Sequence, residues 1–284
     1  MVREVYFSID PDFSEKDERE LSTMGFNCKK IMIMRHLFNL VGISDIKFDV
    51  LINYLKTKKY KIDFSFDKYT YDQNELQDFD YFLCDGQIVT ETRIQLSPSR
   101  YDGNPCFDYS NYCDKCASGL NQIAPLHVSG VDKIVVRRKK IVTPYWEYWL
   151  IDDVLKGIME DAELSGIDYL PIYTGKGIKI DGIWQIKPKK KIEECFVSEC
   201  YRGGTVKDNE CSCNNPCRIS FNDENNILIK SEKKTILQDF NESSERRMTT
   251  RGAYIISKKM MNILIESASF KQIKKTYYCP ITFV

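Results

Sequence analysis

The chain has 284 residues, 43% of them hydrophobic and 29% charged, which excludes collagen-like, mucin-like and wholly disordered classes. Lys and Arg number 41 and so do Asp and Glu, so sequence-independent nucleic-acid binding, which needs a basic excess, is not expected. No run approaches the ~20 apolar residues of a membrane helix, and residues 1–10 hold no apolar stretch of secretory-signal length. A cytoplasmic protein is the expectation.

Along the chain, residues 1–100 read as a mixed α/β region. Residues 31–40 and 45–55 have helix-like apolar spacing, the second through Phe48, Leu51, Ile52 and Leu55 with Ser44 or Asp45 as cap. Lys61-Ile62-Asp63-Phe64-Ser65-Phe66-Asp67 alternates and predicts a strand. Tyr81-Phe82-Leu83-Cys84 and residues 88–94 flank Asp85-Gly86-Gln87, a hairpin signal. Between residues 62 and 92 eight carboxylates accompany the single Lys68, with Phe and Tyr interleaved. Such a stretch suits a basic protein partner, with Asp72, Glu75, Asp78 and Asp80 as candidate contacts. The plain alternative is a solvated strand face. A turn-rich run from Ser97 sets a soft domain boundary near residue 100, leaving 101–284 as the second region.

That second region holds most of the chain's 11 cysteines. Their odd number and the lack of a secretory signal argue against a disulfide framework, and clustered thiols in a reducing compartment point to metal. Cys113-Asp114-Lys115-Cys116 is one cluster; Cys211-Ser212-Cys213-Asn214-Asn215-Pro216-Cys217, with Cys195 and Cys200 upstream, is the other. Two thiolates at this spacing grip a tetrahedral ion from a tight turn, and two such turns complete a shell. One structural zinc is expected, held by Cys113, Cys116, Cys213 and Cys217, with Cys200 and Cys211 as alternative ligands. Cys28, Cys84 and Cys279 suit plain burial. His36 and His127 have no second histidine at ligand spacing and read as ordinary half-buried side chains.

The region also contains a duplication, about 113–172 and 211–281. Trp149-Leu150-Ile151 leads to Asp152, an amphipathic stretch and Asp168-Tyr169-Leu170-Pro171-Ile172; Tyr254-Ile255-Ile256 leads to Ser257, a similar stretch and Tyr278-Cys279-Pro280-Ile281. Each copy predicts strand, N-cap, helix and strand, with helices at 152–164 and 257–268 burying Leu155 and Ile158, or Met260 and Ile263. Arg137-Arg138-Lys139-Lys140 reads as a basic guard on an exposed strand or turn. No phosphate loop, dinucleotide fingerprint, nucleophile elbow or zinc-protease motif is present; Thr174-Gly175-Lys176-Gly177 is half a phosphate loop at most. The expected fold class is α+β, and no enzyme is expected.

Cys113-x-x-Cys116, the unit ending Asp168-Tyr169-Leu170-Pro171-Ile172, the Trp184-Gln185-Ile186 strand, the later cysteine cluster and the closing Tyr278-Cys279-Pro280-Ile281 follow one another in a familiar order. The chain resembles, over roughly residues 106–284, the bacterial double-C-x-x-C-G motif immunity proteins of polymorphic-toxin systems. Ala117 stands where that motif has its first glycine, and the second pair is spread as Cys211-x-Cys213-x-x-x-Cys217. The resemblance implies a non-catalytic antidote that binds and blocks a cognate protein toxin. A zinc-dependent nucleic-acid-binding or -modifying protein and a zinc-stabilised adaptor are the alternatives.

Overall fold

The computed structural model describes residues 2–10, 14–26, 29–32, 37–41, 45–71, 74–84, 93–99, 103–113, 119–143, 148–198, 227–246, 252–267 and 278–284. It is an α+β protein of two compact units, Met1–Asp78 and Phe79–Val284. The division precedes residue 100 because Tyr81–Cys84 is built into a sheet of the second unit.

The first unit runs β1 (Val2–Asp10), α1 (Glu15–Thr23), β2 (Lys29–Met32), β3 (Leu37–Val41), α2 (Asp45–Thr57) and β4 (Lys61–Thr70). Its antiparallel sheet has the order β2-β3-β1-β4, so each helix crosses over one intervening strand, as in the ferredoxin-like βαββαβ arrangement. The strand expected at 61–67 and the helix expected at 45–55 are both present. The helix expected at 31–40 is not: β2 and β3 form there, and β3 pairs with β1 from Ser8↔Leu37 to Glu4↔Val41. A short apolar run fits either period, and pairing with β1 decides it.

Leu51 and Leu55 of α2 are buried, as are Leu21 of α1 and Phe26 beyond it. Sequence spacing missed α1, whose only buried residues are Asp17 and Leu21. It is started by Ser14, whose hydroxyl accepts from the Asp17 amide at 3.2 Å. Two tyrosines and a lysine following it in sequence then fix its carboxylates. The Asp17 carboxylate accepts from the Ser14 hydroxyl and from the Tyr60 hydroxyl at 2.7 Å. Glu20 accepts from the Tyr54 hydroxyl at 2.9 Å and the Lys58 ammonium at 2.7 Å. The Ser14 and Tyr60 hydrogen bonds hold the Asp17 carboxyl down at about 2.

The second unit contains β5 (Tyr81–Cys84), β6 (Gln95–Leu96), β7 (Phe107–Asp108), β8 (Asn121–Gln122), β9 (His127–Ser129), α3 (Lys133–Lys139), β10 (Ile141–Val142), β11 (Trp149–Asp152), α4 (Asp153–Asp161), β12 (Ile167–Thr174) and β13 (Lys179–Pro188). It continues with β14 (Lys191–Ile192), β15 (Ile227–Ile229), a 3₁₀ segment Ser231–Ile236, β16 (Phe240–Arg246), β17 (Gly252–Ser257), α5 (Lys258–Glu266) and β18 (Tyr278–Phe283). Two six-stranded sheets result, ordered β10-β11-β13-β12-β9-β6 and β14-β16-β17-β5-β18-β15. Both edges of β5 are occupied, by β17 and β18, so Tyr81–Cys84 does not form the local hairpin its Asp-Gly step suggests. The basic run Arg137-Arg138-Lys139 is the last turn of α3, where cations meet the negative end of the helix dipole, rather than a strand guard.

The two sheets repeat one another residue by residue. In the first, Ile151 lies opposite Ile141 and Trp184, and Leu150 opposite Val142 and Gln185. In the second, Ile256 lies opposite Phe240 and Phe82, and Ile255 opposite Asn241 and Leu83. The closing strands match too: Leu170↔Gln185 and Pro171↔Trp184 correspond to Cys279↔Leu83 and Pro280↔Phe82. Beyond them β9 runs parallel to β12, and β15 parallel to β18. The caps obey the same plan. Asp152 accepts from the Leu155 amide at 2.9 Å, and Ser257 from the Met260 amide at 3.1 Å. Lys140 contacts Asp152 through its carbonyl and its ammonium, at 3.3 and 2.8 Å; Asp239 contacts Ser257 through its carbonyl and carboxylate, at 3.0 and 2.6 Å. The duplication expected over 113–172 and 211–281 therefore extends to whole sheets.

Equivalent residues of the repeats meet between the sheets. Trp149 and Tyr254, each three residues ahead of its helix cap, contact edge-on at 5.1 Å, and Trp149 stacks on Phe240 at 5.2 Å. On the outer face of the first sheet, Val142, Leu150, Ile172 and Ile183 pack with Cys106, Phe107, Leu126 and Tyr148. On that of the second, Leu83, Ile255 and Ile281 pack with Ile192, Cys195, Phe196 and Leu237. Among the described residues no helix is long and apolar enough to cross a membrane.

Candidate metal centre and partner surface

Cys113 is half-buried in the segment between β7 and β8. These two strands pair antiparallel, Phe107↔Gln122 and Asp108↔Asn121, and so close the base of a loop whose sequence includes the C-x-x-C. Asp108 shapes the outgoing turn by accepting from the Ser110 amide and hydroxyl, both at 2.9 Å. The base is pinned to the first sheet by reciprocal amide bonds between Gln122 and buried Gln185, each 2.8 Å, and by Lys187 donating to the Gln122 carbonyl at 3.1 Å. A buried side-chain amide pair of this kind is satisfied only in one geometry, which holds the loop base rigidly.

Cys106, seven positions before Cys113, is committed elsewhere. It is 1% exposed and its thiol donates to the Pro125 carbonyl at 3.0 Å. Burial pushes this thiol up, away from the thiolate a metal needs. Cys84 and Cys195 are buried and Cys279 packs against the outer cluster of the second sheet, as small apolar side chains do. His127 is half-buried with its ring 5.5 Å from Tyr173, consistent with an ordinary histidine. Cys28, His36, Cys116, Cys200, Cys211, Cys213 and Cys217 lie outside the described residues. Among the described residues no group of three or more His, Cys, Asp or Glu is placed to hold a metal ion.

The repeat register nevertheless pairs the cysteines. Leu96 faces Val128 antiparallel, and at the equivalent place Phe196 bridges Ile229 antiparallel. Cys113 follows Leu96 by seventeen residues and Cys213 follows Phe196 by seventeen. Cys116 precedes Val128 by twelve residues and Cys217 precedes Ile229 by twelve. The one residue by which the second connection is longer falls inside the cysteine pair, turning C-x-x-C into C-x-x-x-C. Cys200 and Cys211 correspond to Arg100 and Asn111, which are not thiols. Counted from the equivalent bridged pairs Leu96–Val128 and Phe196–Ile229, Cys213 and Cys217 are the positional counterparts of Cys113 and Cys116.

The acidic candidates divide between the units. Asp72 lies outside the described residues. Glu75 is half-buried and Asp78 exposed, both in a 3₁₀ turn at the end of the first unit. Asp80, in the second unit, is exposed and pairs with Lys234 at 3.0 Å. An exposed ion pair of this kind contributes little energy, but it lowers the charge Asp80 offers a partner. The Thr174-Gly175-Lys176-Gly177 segment is the β12–β13 hairpin: the Thr174 amide donates to the Ile178 carbonyl at 2.7 Å, and the Gly177 amide to the Thr174 carbonyl at 2.9 Å. Its glycines serve a turn rather than a phosphate. In comparisons with protein-family models, curated proteins and solved structures, nothing matched the chain.

Proposed function

We propose that the chain is a non-catalytic immunity protein that binds a cognate protein toxin and blocks it by occlusion. The observation that carries this reading is the tandem repeat with a cysteine pair inserted at the same place in each copy, Cys113/Cys116 and Cys213/Cys217. Two such pairs resemble the doubled motif of the C-x-x-C-G immunity proteins, although Ala117 replaces the first glycine and the second pair is C-x-x-x-C. An antidote needs a rigid complementary surface, and two sheets locked through Trp149, Phe240 and Tyr254 offer one at little ordering cost on binding.

The thiols fit a zinc ion by their chemistry. Cys84, Cys106 and Cys195 are buried in the core, whereas Cys113 is half-buried beside a pinned loop base. Cys113, Cys116, Cys213 and Cys217 would hold the zinc, whose contribution is to cross-link the segments that carry them. The toxin contact is assigned to the acidic side chains Asp72, Glu75, Asp78 and Asp80, whose field speeds the approach of a basic partner.

Co-expression tests the reading. Cells making the toxin encoded beside this chain's gene should survive only when the chain is also made, and purified toxin and chain should form a stable complex. Combined charge reversal at Asp72, Glu75 and Asp78 should slow association without moving the melting temperature. Protection that persists when the complex cannot form would reject occlusion.

A further inference from the structure

The order of the strands contradicts the order of the repeats. Aligned by their registers, β5, β9, β10, β11 and β12 form one sequence copy, and β13, β15, β16, β17 and β18 form the next. Yet β5, the first strand of copy one, lies between β17 and β18 of copy two. Conversely β13, the first strand of copy two, lies between β11 and β12 of copy one. We propose that the two copies have reciprocally exchanged their first strands, so that neither is a folding unit and the cysteine-bearing connections of both are kept or lost together.

The chain itself explains the exchange. β13 follows β12 through the tight hairpin at Thr174, closed by the Thr174–Ile178 and Gly177–Thr174 backbone bonds and by the Ile178 amide donating to the Thr174 hydroxyl at 3.1 Å. So short a connection closes at low entropic cost and captures β13 for the first sheet. The second sheet is then without a middle strand, and β5 occupies that place. A middle strand is hydrogen-bonded on both edges, so withdrawing it divides its sheet in two and uncovers the outer cluster. Leu83 of β5 belongs to the outer core of the second sheet, and Ile183 of β13 to that of the first. The proposal goes beyond the functional reading and holds whether or not the partner is a toxin.

Two buried thiols report on the two sheets separately: Cys106, 1% exposed in the first outer core, and Cys195, 0% exposed in the second. The full-length chain is pulse-alkylated across a urea series, and modification of each thiol is read by peptide mass spectrometry. In the parent chain both thiols should become reactive at the same midpoint. Leu83→Ala and Ile183→Ala should each lower both midpoints, by equal shifts for the two thiols. Leu83→Val and Ile183→Val give the same comparison if an alanine variant does not fold. Movement of one thiol alone, or of neither, would overturn the proposal: if the sheets unfold separately, Leu83→Ala shifts only Cys195 and Ile183→Ala only Cys106.

Discussion

At the scale of single residues, Asp17 and Gly252 each make a demand that substitution can test. Asp17 is held at about 2 by hydrogen bonds from Ser14 and Tyr60, below its ordinary range. A carboxylate depressed on folding adds stability above its unfolded value, and that stability disappears as the pH falls through the folded one. The first unit should therefore lose this contribution between about pH 4 and pH 2. Asp17→Asn should be less stable than the parent at neutral pH, with the difference vanishing near the acid end of a denaturation series. Gly252 makes a steric demand instead: a Cβ there would sit 1.6 Å from the Ser243 carbonyl oxygen across the β16–β17 pair. Gly252→Ala should cost about 1–3 kcal/mol through forced displacement of the strands, measured by urea unfolding.

At the scale of elements, the two capped helices show how far apolar spacing reaches. Both form at the expected places, α4 and α5 each spanning nine residues behind Asp152 and Ser257. The buried set differs from the expected one. Leu155 and Met159 are 0% exposed, whereas Ile158 is 43% exposed, and in α5 Met260, Met261 and Leu264 are buried while Ile263 is only half-buried. Spacing defines an apolar stripe, but the crossing of helix and sheet decides which edge of it is covered. Leu155→Ala and Met260→Ala should each cost about 2–5 kcal/mol by urea unfolding, since each empties a fully buried site. Ile158→Ala should cost well under half of that. A helix with only one buried aliphatic side chain, such as α1, leaves no stripe to detect; its local signs are the Ser14 cap and the acidic first turn of Glu15, Asp17 and Glu18.

At the scale of the whole molecule, the cysteine pairs and the tandem repeat lead to one further outcome. The proposed zinc, if held by Cys113, Cys116, Cys213 and Cys217, would join connections belonging to both copies, and its binding energy would then be folding energy for both sheets. Elemental analysis of untagged protein should find one zinc per chain, and chelation should lower the melting temperature of the second unit. Cys113→Ser should lower it comparably and Cys106→Ser should leave the zinc content unchanged, because the Cys106 thiol is bound to the Pro125 carbonyl.

The α+β class, the two caps, the Pro-Ile strands and the repeated strand–cap–helix unit are legible along the chain, because each rests on local spacing, capping chemistry or composition. Long-range pairing places the division at Asp78, puts Lys29–Met32 and Leu37–Val41 into a sheet, and joins Tyr81–Cys84 to strands some 170 and 195 positions later in the chain. Strand partners are chosen by which edges remain open once the short hairpins have closed, and no local pattern encodes that competition. The cysteine register depends on it too: Cys213 and Cys217 become the positional counterparts of Cys113 and Cys116 when the bridged pairs Leu96–Val128 and Phe196–Ile229 supply the ends from which to count.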